Sequence, residues 1–256
     1  MDAVALQHIK KSYTSYSSEI VLTGQTRQSR TRQVLRDLSV CFPIGQLTVI
    51  VGRSGCGKST LLKLLAGKEQ PDAGQIEMPQ GWHSALLSPD PYVITWTNVQ
   101  RNVAMACGVG KTPEERYEKA ADFVRLVGLQ DFADLTPAEL STGMKQRLGL
   151  ALALMNHPEF LLLDEPINGL DPQGIVEMRE LILKLNRERQ ITVLISSHIL
   201  DELSKLATHY GFIDGGRMGK EVSAQESQKN VKQFGVFQPV HPGGKQVTHA
   251  AHLPPG

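Results

Sequence analysis

Residues 52–60 read Gly-Arg-Ser-Gly-Cys-Gly-Lys-Ser-Thr, and this stretch decides the fold. It matches the phosphate-loop pattern G-x-x-x-x-G-K-[ST]. Glycines let successive backbone N–H groups point into one concavity that suits phosphate oxygens, while the lysine reaches the β- and γ-phosphates and the serine hydroxyl can bind Mg²⁺. The stretch therefore predicts a site for a nucleoside triphosphate. Its expected binding residues are Gly52, Arg53, Ser54, Gly55, Cys56, Gly57, Lys58, Ser59 and Thr60.

The segments on both sides of this loop support the same prediction. Residues 47–51, Leu-Thr-Val-Ile-Val, form a short apolar run that is typical of a buried strand. Residues 61–66 are mostly leucine and are followed by Gly67, which predicts a helix with a glycine C-cap. The phosphates would then also lie at a helix N-terminus, where the N–H groups and the dipole favour an anion.

The composition limits the class of protein. The 256 residues suit one large α/β domain or two small ones, and their net charge of +1 gives no general electrostatic reason to expect nucleic acid as a partner. The three cysteines, Cys41, Cys56 and Cys107, indicate neither a disulfide framework nor a zinc site and suit a reducing compartment. The N-terminus shows no signal-peptide pattern, and the longest apolar stretch, residues 148–155, is too short to span a bilayer. Any membrane role is therefore expected to come through a partner.

Mostly apolar strands alternate with helices along the chain, which favours a mainly parallel sheet covered on both faces. Residues 6–13 are expected to begin as an edge strand, and the polar residues 14–33 to form an inserted hairpin or loop. Its basic residues Arg27, Arg30 and Arg32 are expected on a solvated face, with a partner contact as the less favoured alternative. Residues 68–100 show no convincing period. Further strands are expected at 34–42, 160–163, 191–195, 210–214 and 217–222, and helices at 112–127, 144–157, 172–189 and 199–207. Residues 225–256 are expected to be a disordered tail.

Two adjacent carboxylates end one of these strands. Residues 160–165 read Phe-Leu-Leu-Leu-Asp-Glu. Behind a phosphate loop, Asp164 is placed to hold Mg²⁺ together with Ser59, and Glu165 to polarise the attacking water as a general base. The chain is therefore expected to bind ATP with Mg²⁺ and to hydrolyse it.

Three further motifs resemble the ATP-binding cassette superfamily. Residues 140–147, Leu-Ser-Thr-Gly-Met-Lys-Gln-Arg, resemble its signature sequence; His198 after two serines resembles its switch histidine; and residues 168–171, Asn-Gly-Leu-Asp, resemble its D-loop. The resemblance runs from residue 4 to about 224. It implies an α/β fold of the P-loop NTPase class, in which helices flank a mainly parallel sheet. It also implies a small antiparallel β subdomain and a helical signature subdomain at about 97–157, all within an ATPase domain at 1–224.

The resemblance also implies a mechanism shared between two copies of the chain. The copies would face each other head to tail, with each ATP between the phosphate loop of one and Ser141 and Gly143 of the other. Residues of a helix N-terminus suit such a phosphate contact. His198 would contact the γ-phosphate and join Glu165 and Lys58 as a catalytic residue. Two further nucleotide contacts are implied: Asp171 of the D-loop, and Tyr13, which would stack on adenine, with Tyr16 as the rival for that role.

The chain departs from the family pattern at a few positions. Thr142 stands where glycine is usual and Met144 where glutamine is usual. In the Q-loop, the expected glutamine is replaced by one of the residues 88–90, Ser-Pro-Asp, and Asp90 is the candidate substitute. This departure concerns the coupling between ATP and a membrane partner, and the hydrolysis rate.

The resemblance leaves the type of transporter open. Residues 96–150 resemble importers of the nitrate, sulfonate or taurine type, whereas residues 149–221 resemble exporters of the peptide-antibiotic resistance type. We expect a transport ATPase that docks on transmembrane permease subunits from the cytoplasmic face of the membrane. A regulatory module that dimerises on ATP but hydrolyses poorly is the first alternative. A soluble ATPase of DNA repair or translation is the second, disfavoured by the single cassette and the missing coiled-coil insertion.

Overall fold

The computed structural model of the chain describes residues 3–21, 24–107, 112–198 and 206–223. The predicted tail at 225–256 and most of the predicted helix at 199–207 lie outside these residues. None of the helices within the described ranges is long and apolar enough to cross a bilayer.

A six-stranded sheet forms the centre of the molecule. Its strands are β3 (Leu47–Val51), β5 (Ser84–Leu87), β6 (Phe160–Asp164), β7 (Thr192–Ser197), β8 (His209–Asp214) and β9 (Arg217–Ser223). They lie in the order β5-β6-β7-β3-β8-β9, and all neighbours are parallel except the final hairpin β8–β9. Every residue of β3, β6 and β7 is buried, which confirms the prediction that these apolar runs are central strands.

Both faces of this sheet are covered. The helices are α1 (Lys58–Leu65), α2 (Val99–Ala106), α3 (Pro113–Leu126), α4 (Thr142–Leu154) and α5 (Pro172–Arg189). Because side chains alternate along a strand, Leu161 and Leu163 pack into one core, while Phe160 and Leu162 pack into another. The first core lies under α2–α5, and the second lies between the sheet, α1 and the strands near the N-terminus.

A three-stranded antiparallel sheet forms the second core's outer wall. It consists of β1 (Ala3–Val21), β2 (Gly24–Pro43) and β4 (Ala73–Glu77), in the order β2-β1-β4. Residues 6–13 form a strand, as predicted, but its edge position is wrong as far as Lys10, because β4, which lacked a readable period, pairs along the other side of β1 there. For residues 14–33 the hairpin alternative is confirmed, since β1 and β2 pair from Ser12↔Gln33 to Val21↔Gly24. The pairing with β4 ends at Lys10, so the hairpin continues as a two-stranded ribbon.

Short-range signals set the ends of the helices in the 97–157 region. The side chain of Thr112 accepts a hydrogen bond from Glu115 N, so this residue is the N-cap of α3, as expected. Helix α4 begins earlier than predicted, because Ser141 caps it directly through Met144 N. It ends earlier as well, since His157 has φ 48° and precedes a proline, which disfavours helical backbone. Helix α2 was missed.

The β8–β9 turn joins the two sheets. Arg36 N donates a hydrogen bond of 2.7 Å to Gly216 O. Gly216 has φ 79°, and a Cβ atom placed there would lie 2.0 Å from Val34 O. Its neighbour Gly215 has φ 52° and an open environment. Two adjacent glycines therefore share a left-handed backbone and differ only in what surrounds them.

Replacing either glycine by alanine should separate backbone strain from steric conflict. We expect Gly215→Ala to lower the free energy of unfolding by about 1 kcal/mol, the cost of a left-handed alanine. Gly216→Ala should cost at least about 2 kcal/mol more, because the new methyl group also forces β2 away from the turn. Urea denaturation followed by circular dichroism measures both. Equal losses would show that the contact between the turn and β2 is not tight.

Candidate functional site

The phosphate loop is shaped by its glycines and by the strands beside it. It connects β3 to α1, and Gly52 N donates a hydrogen bond of 3.3 Å to Ser197 O at the end of β7. A Cβ atom on Gly52 would lie 2.4 Å from Ile213 O, so no side chain fits there. Gly55 and Gly57 have φ angles of 76° and 115°, which allow the loop to curl before the helix starts.

Lys58 is buried at the first position of α1. Its Nζ atom donates hydrogen bonds to Gly52 O at 2.8 Å and to Arg53 O at 3.5 Å. The same atom lies 3.5 Å from Glu165 Oε1. The ammonium group is thus held between the backbone of the loop and the carboxylate that follows β6, two strands away from β3.

The two carboxylates after β6 have different environments. Asp164 is buried, and its Oδ1 atom accepts a hydrogen bond of 2.5 Å from Ser196 Oγ. Glu165 has φ 51°, a left-handed conformation that is rare for a residue with a side chain. Its N–H group donates to Ser196, at 3.2 Å from both the carbonyl oxygen and Oγ. Ser196 therefore fixes both acidic residues at once.

His198 completes a cluster with Glu165 and Lys58. Its Nδ1 atom lies 2.8 Å from Glu165 Oε2, and its backbone N–H donates to the same oxygen at 3.4 Å. The structure thus brings together the three residues that the sequence singled out for catalysis. The contacts place the Lys58 ammonium, the Glu165 carboxylate and the His198 imidazole in one row at the carboxyl ends of the central strands.

Tyr13 lies beside the first turn of α1. Its hydroxyl donates to Glu69 Oε2 at 2.5 Å and lies 3.4 Å from Thr60 Oγ1. Burial, and then the hydrogen bond to Glu69, raise the pKa of Tyr13. Tyr13 is therefore close to the loop, as its predicted role requires, whereas the side chain of Tyr16 lies outside the described part of the structure. Glu69 was missed, since no spacing in the sequence indicated it.

Arg32 contacts the phosphate loop, which was not predicted from the sequence. Its Nη2 atom donates to Gly55 O at 3.3 Å. The side chain is exposed, which agrees with the predicted solvated face, but it also contacts the phosphate loop. Arg32 lines a cavity of about 200 Å³ together with Val34, Gly55, Gly57, Lys58, Ser59 and Thr60. The register Tyr13↔Arg32 would have indicated this position once the hairpin was chosen over the loop.

The predicted signature residues lie apart from the phosphate loop of the same chain. Ser141 is the exposed N-cap of α4, and Gly143 follows in the first turn. No hydrogen bond between either residue and the loop is seen in the described parts of the chain. Asp171 Oδ1 accepts from Gly174 N at 3.1 Å and so caps α5. Nucleotide contacts of these three residues stay predictions.

The segment in the Q-loop position is fixed on α4. Gln146 Nε2 donates a hydrogen bond of 2.5 Å to Pro89 O. A Cβ atom on Gly149 would lie 2.6 Å from Pro91 Cβ, so the segment packs directly on the helix. Asp90 is exposed and, among the described residues, makes no hydrogen bond or ion pair with the phosphate loop. Its role as a substitute for the glutamine also stays a prediction.

Removing the Ser196 hydroxyl should destabilise the chain markedly. We expect Ser196→Ala to lower the free energy of unfolding by about 2 kcal/mol, because buried Asp164 loses its hydrogen-bond donor. Thr192→Val is the matched control: it removes another buried hydroxyl from β7, one that accepts from the neutral Gly45 N–H. Its cost should be smaller. Urea denaturation of both variants tests this, and a larger loss in Thr192→Val would contradict the assignment.

Residues 35–168 match the ABC transporter family. An aliphatic sulfonates import ATP-binding protein, SsuB 2 of Pseudomonas aeruginosa, is 39% identical over 212 residues, which cover 80% of this chain and 76% of that protein. The taurine import ATP-binding protein TauB of the same species is 38% identical over 208 residues, or 78% of both chains. SsuB of Pectobacterium atrosepticum is 38% identical over 228 residues, or 87% of this chain and 84% of that one.

Solved structures show the same fold. A dimeric ATP-binding cassette in a post-hydrolysis state, bound to ADP and phosphate, superimposes with a TM-score of 0.72 at 22% identity and covers 86% of this chain and 98% of its own. The protein cbiO1 of Clostridium perfringens, part of the transporter complex cbiONQ, gives 0.72 at 23% identity, with 91% and 93% coverage. The fold, the family match and these relatives agree with the phosphate loop and its carboxylates: the chain belongs to the ABC transporter family, as its ATP-binding and ATP-hydrolysing subunit.

Proposed function

We propose that this subunit powers the import of a small organic sulfonate, of the aliphatic sulfonate or taurine class. The relatives described above are import proteins for such compounds, which supports the importer-like features at residues 96–150 over the exporter-like ones further on. The choice of substrate would lie with the membrane subunits. The observation that carries the ATPase mechanism is the row formed by Lys58, Glu165 and His198.

Within this proposal, Glu165 is the general base. It lies between a cation and an imidazole, and its left-handed backbone directs the carboxylate across the end of the sheet. Triphosphate would compete for the Lys58 ammonium, because the lysine of a phosphate loop binds the β- and γ-phosphates. Glu165 would then be released to accept a proton from water, while His198 keeps it oriented.

Asp164 and Ser59 are suited to bind Mg²⁺. A buried carboxylate and an exposed hydroxyl at the start of α1 supply the hard oxygen donors that Mg²⁺ prefers. No group of three or more histidine, cysteine or acidic side chains in the described ranges could hold a metal, which fits an ion bound partly by phosphate oxygens. Mg²⁺ would neutralise charge on the phosphates.

A second copy of the chain would complete each site. Ser141 and Gly143 stand at an exposed helix N-terminus, which favours phosphate but has no contact with the loop of its own chain in the described residues. In a head-to-tail pair, each α4 would face the loop of the partner. In this proposal Asp171 contacts the nucleotide, and residues 1–224 form the ATPase domain.

A permease would bind near the segment 88–96. Tyr92 and Trp96 are 89% and 83% exposed, and Met105 on α2 is 63% exposed. Large apolar side chains at the surface indicate a protein partner. This contact would hold the subunit at the cytoplasmic face of the cell membrane.

One observation favours a second candidate, a regulatory module that dimerises on ATP but hydrolyses slowly. Residues 88–90 read Ser-Pro-Asp where a glutamine is expected, and Asp90 makes no hydrogen bond or ion pair with the phosphate loop among the described residues. Single-turnover hydrolysis of radiolabelled ATP separates the two functions. A chemical step as fast as that of an ordinary transport ATPase would exclude the module.

Glu165→Gln should abolish turnover but not binding. We expect hydrolysis to fall by about 100-fold or more, because the amide cannot accept the proton of water. Glu159→Gln is the control: it makes the same substitution at the opposite end of β6, where the side chain accepts from His83 N and lies 3.6 Å from His83 Nδ1. Steady-state phosphate release measures both variants. Unchanged turnover in Glu165→Gln would refute the proposed base.

Gly143→Asp should block hydrolysis through the partner copy. A Cβ atom at this position lies 3.5 Å from Leu170 Cδ2, so the chain can accept it, whereas the added charge would repel phosphate. ATP binding to the single chain should persist. Mixing Gly143→Asp with Lys58→Ala should restore part of the activity, since the mixed dimer contains one intact loop facing one intact signature. Absence of recovery would contradict the shared site.

A further inference from the structure

Arg32 and Tyr13 reach the phosphate loop from the same face of the β1–β2 hairpin. They are directly opposed in the strand register, and cross-strand partners point to the same side of a sheet. Tyr13 reaches Thr60 at the C-terminal end of the loop, while Arg32 reaches Gly55 near its middle. The residues between these contacts, Cys56 to Ser59, are those that form the turn into α1.

Lys58 and Arg32 are engaged differently at the loop. The Lys58 ammonium contacts two carbonyl oxygens and Glu165. Arg32 donates one hydrogen bond to a neutral carbonyl, and no carboxylate among the described side chains forms an ion pair with it. A planar guanidinium has further N–H donors, and their fork geometry matches phosphate oxygens. Arg32 therefore has donors available toward the cavity that it lines.

The position of this cavity indicates which phosphates Arg32 would meet. Its walls are Gly55, Gly57, Ser59 and Thr60, together with Lys58 and Val34. The backbone of a phosphate loop cradles the α- and β-phosphates. Glu165 and His198 do not line this cavity, so the γ-phosphate would react outside it, next to these two residues.

We propose that Arg32 is a phosphate-binding residue of this subunit, which supplies a second cation to the α- and β-phosphates of the nucleotide held by the loop. The inference rests on the proposed function, because it requires nucleotide at this loop. It gives the insertion at 14–33 a role in nucleotide affinity, since the ribbon carries Arg32 to the loop. Arg32 is a binding residue and takes no part in proton transfer.

Calorimetric titration with Mg²⁺-ATP, Mg²⁺-ADP and adenosine tests this. Arg32→Ala should weaken ATP and ADP binding by about tenfold each, the loss of one charge-assisted hydrogen bond, and leave adenosine unchanged. Arg32→Lys should recover part of the affinity, since an ammonium also binds phosphate. Arg30→Ala is the matched control: it removes the same charge from the same strand, roughly 7 Å further from the loop, and should bind ATP like the unchanged chain.

Several results would overturn the inference. One is equal ATP affinity in Arg32→Ala and the unchanged chain. Another is equal weakening by Arg30→Ala, which would indicate only a general charge effect. Weakening of ATP but not of ADP would place the contact on the γ-phosphate instead. If the unchanged chain itself failed to bind ATP, the proposed function would fail. Thermal melting of each variant verifies that the fold is intact.

Discussion

The parallel register of β6, β7 and β3 is the constraint on which the site depends. Asp164 lies opposite Ser196, and Val51 lies opposite Ser197, so three strands end at one level. The loop, the carboxylates and His198 then follow immediately on adjacent strands. Open α/β sheets bind ligands outside the carboxyl ends of their strands, and this register sets the distances there. A shift by one residue would turn each of these side chains to the other face.

At the carboxyl ends of these strands, favourable contacts of the Glu165 carboxylate oppose the strain in its backbone. The pair formed by Lys58 and Glu165 is largely shielded from solvent, and such a pair is stabilising only when further hydrogen bonds satisfy both partners. Gly52 O, Arg53 O and His198 supply those bonds. They offset the unfavourable left-handed backbone of Glu165, a conformation that clusters at functional sites. The contacts that satisfy the two charges thus also hold the Glu165 backbone in place.

Local patterns predicted part of this structure well. The phosphate loop, the pair Asp164-Glu165 and the strands at 47–51 and 160–164 are each contiguous in sequence, so composition and spacing reveal them. The caps Thr112 and Asp171 were equally readable, because a cap acts on a backbone N–H group a few residues away. The residues that determine such an element lie within it or next to it, so the sequence alone indicates the element.

The remaining features depend on partners that are distant in sequence. Strand β4 is short and half exposed, and it forms because β1 offers an unpaired side. The register of a hairpin places Arg32 at the site, and the end of a helix places Glu69 there. Neither position follows from a repeating pattern of apolar residues. The bond from Gln146 to Pro89 joins residues whose separation gives no hint of contact. Tertiary pairing, rather than propensity, decided all of these.

That last bond has a mechanical consequence. Helix α4 carries Ser141 at its exposed end and holds the segment 88–91 against its side through Gln146 and Gly149. Close packing makes such a unit stiff, so the segment and the helix end must shift as one body. A displacement of the segment would therefore also move the N-terminus of the helix. Helix α4, with Ser141 at its N-terminus, and the segment 88–91 on its side thus form one rigid unit.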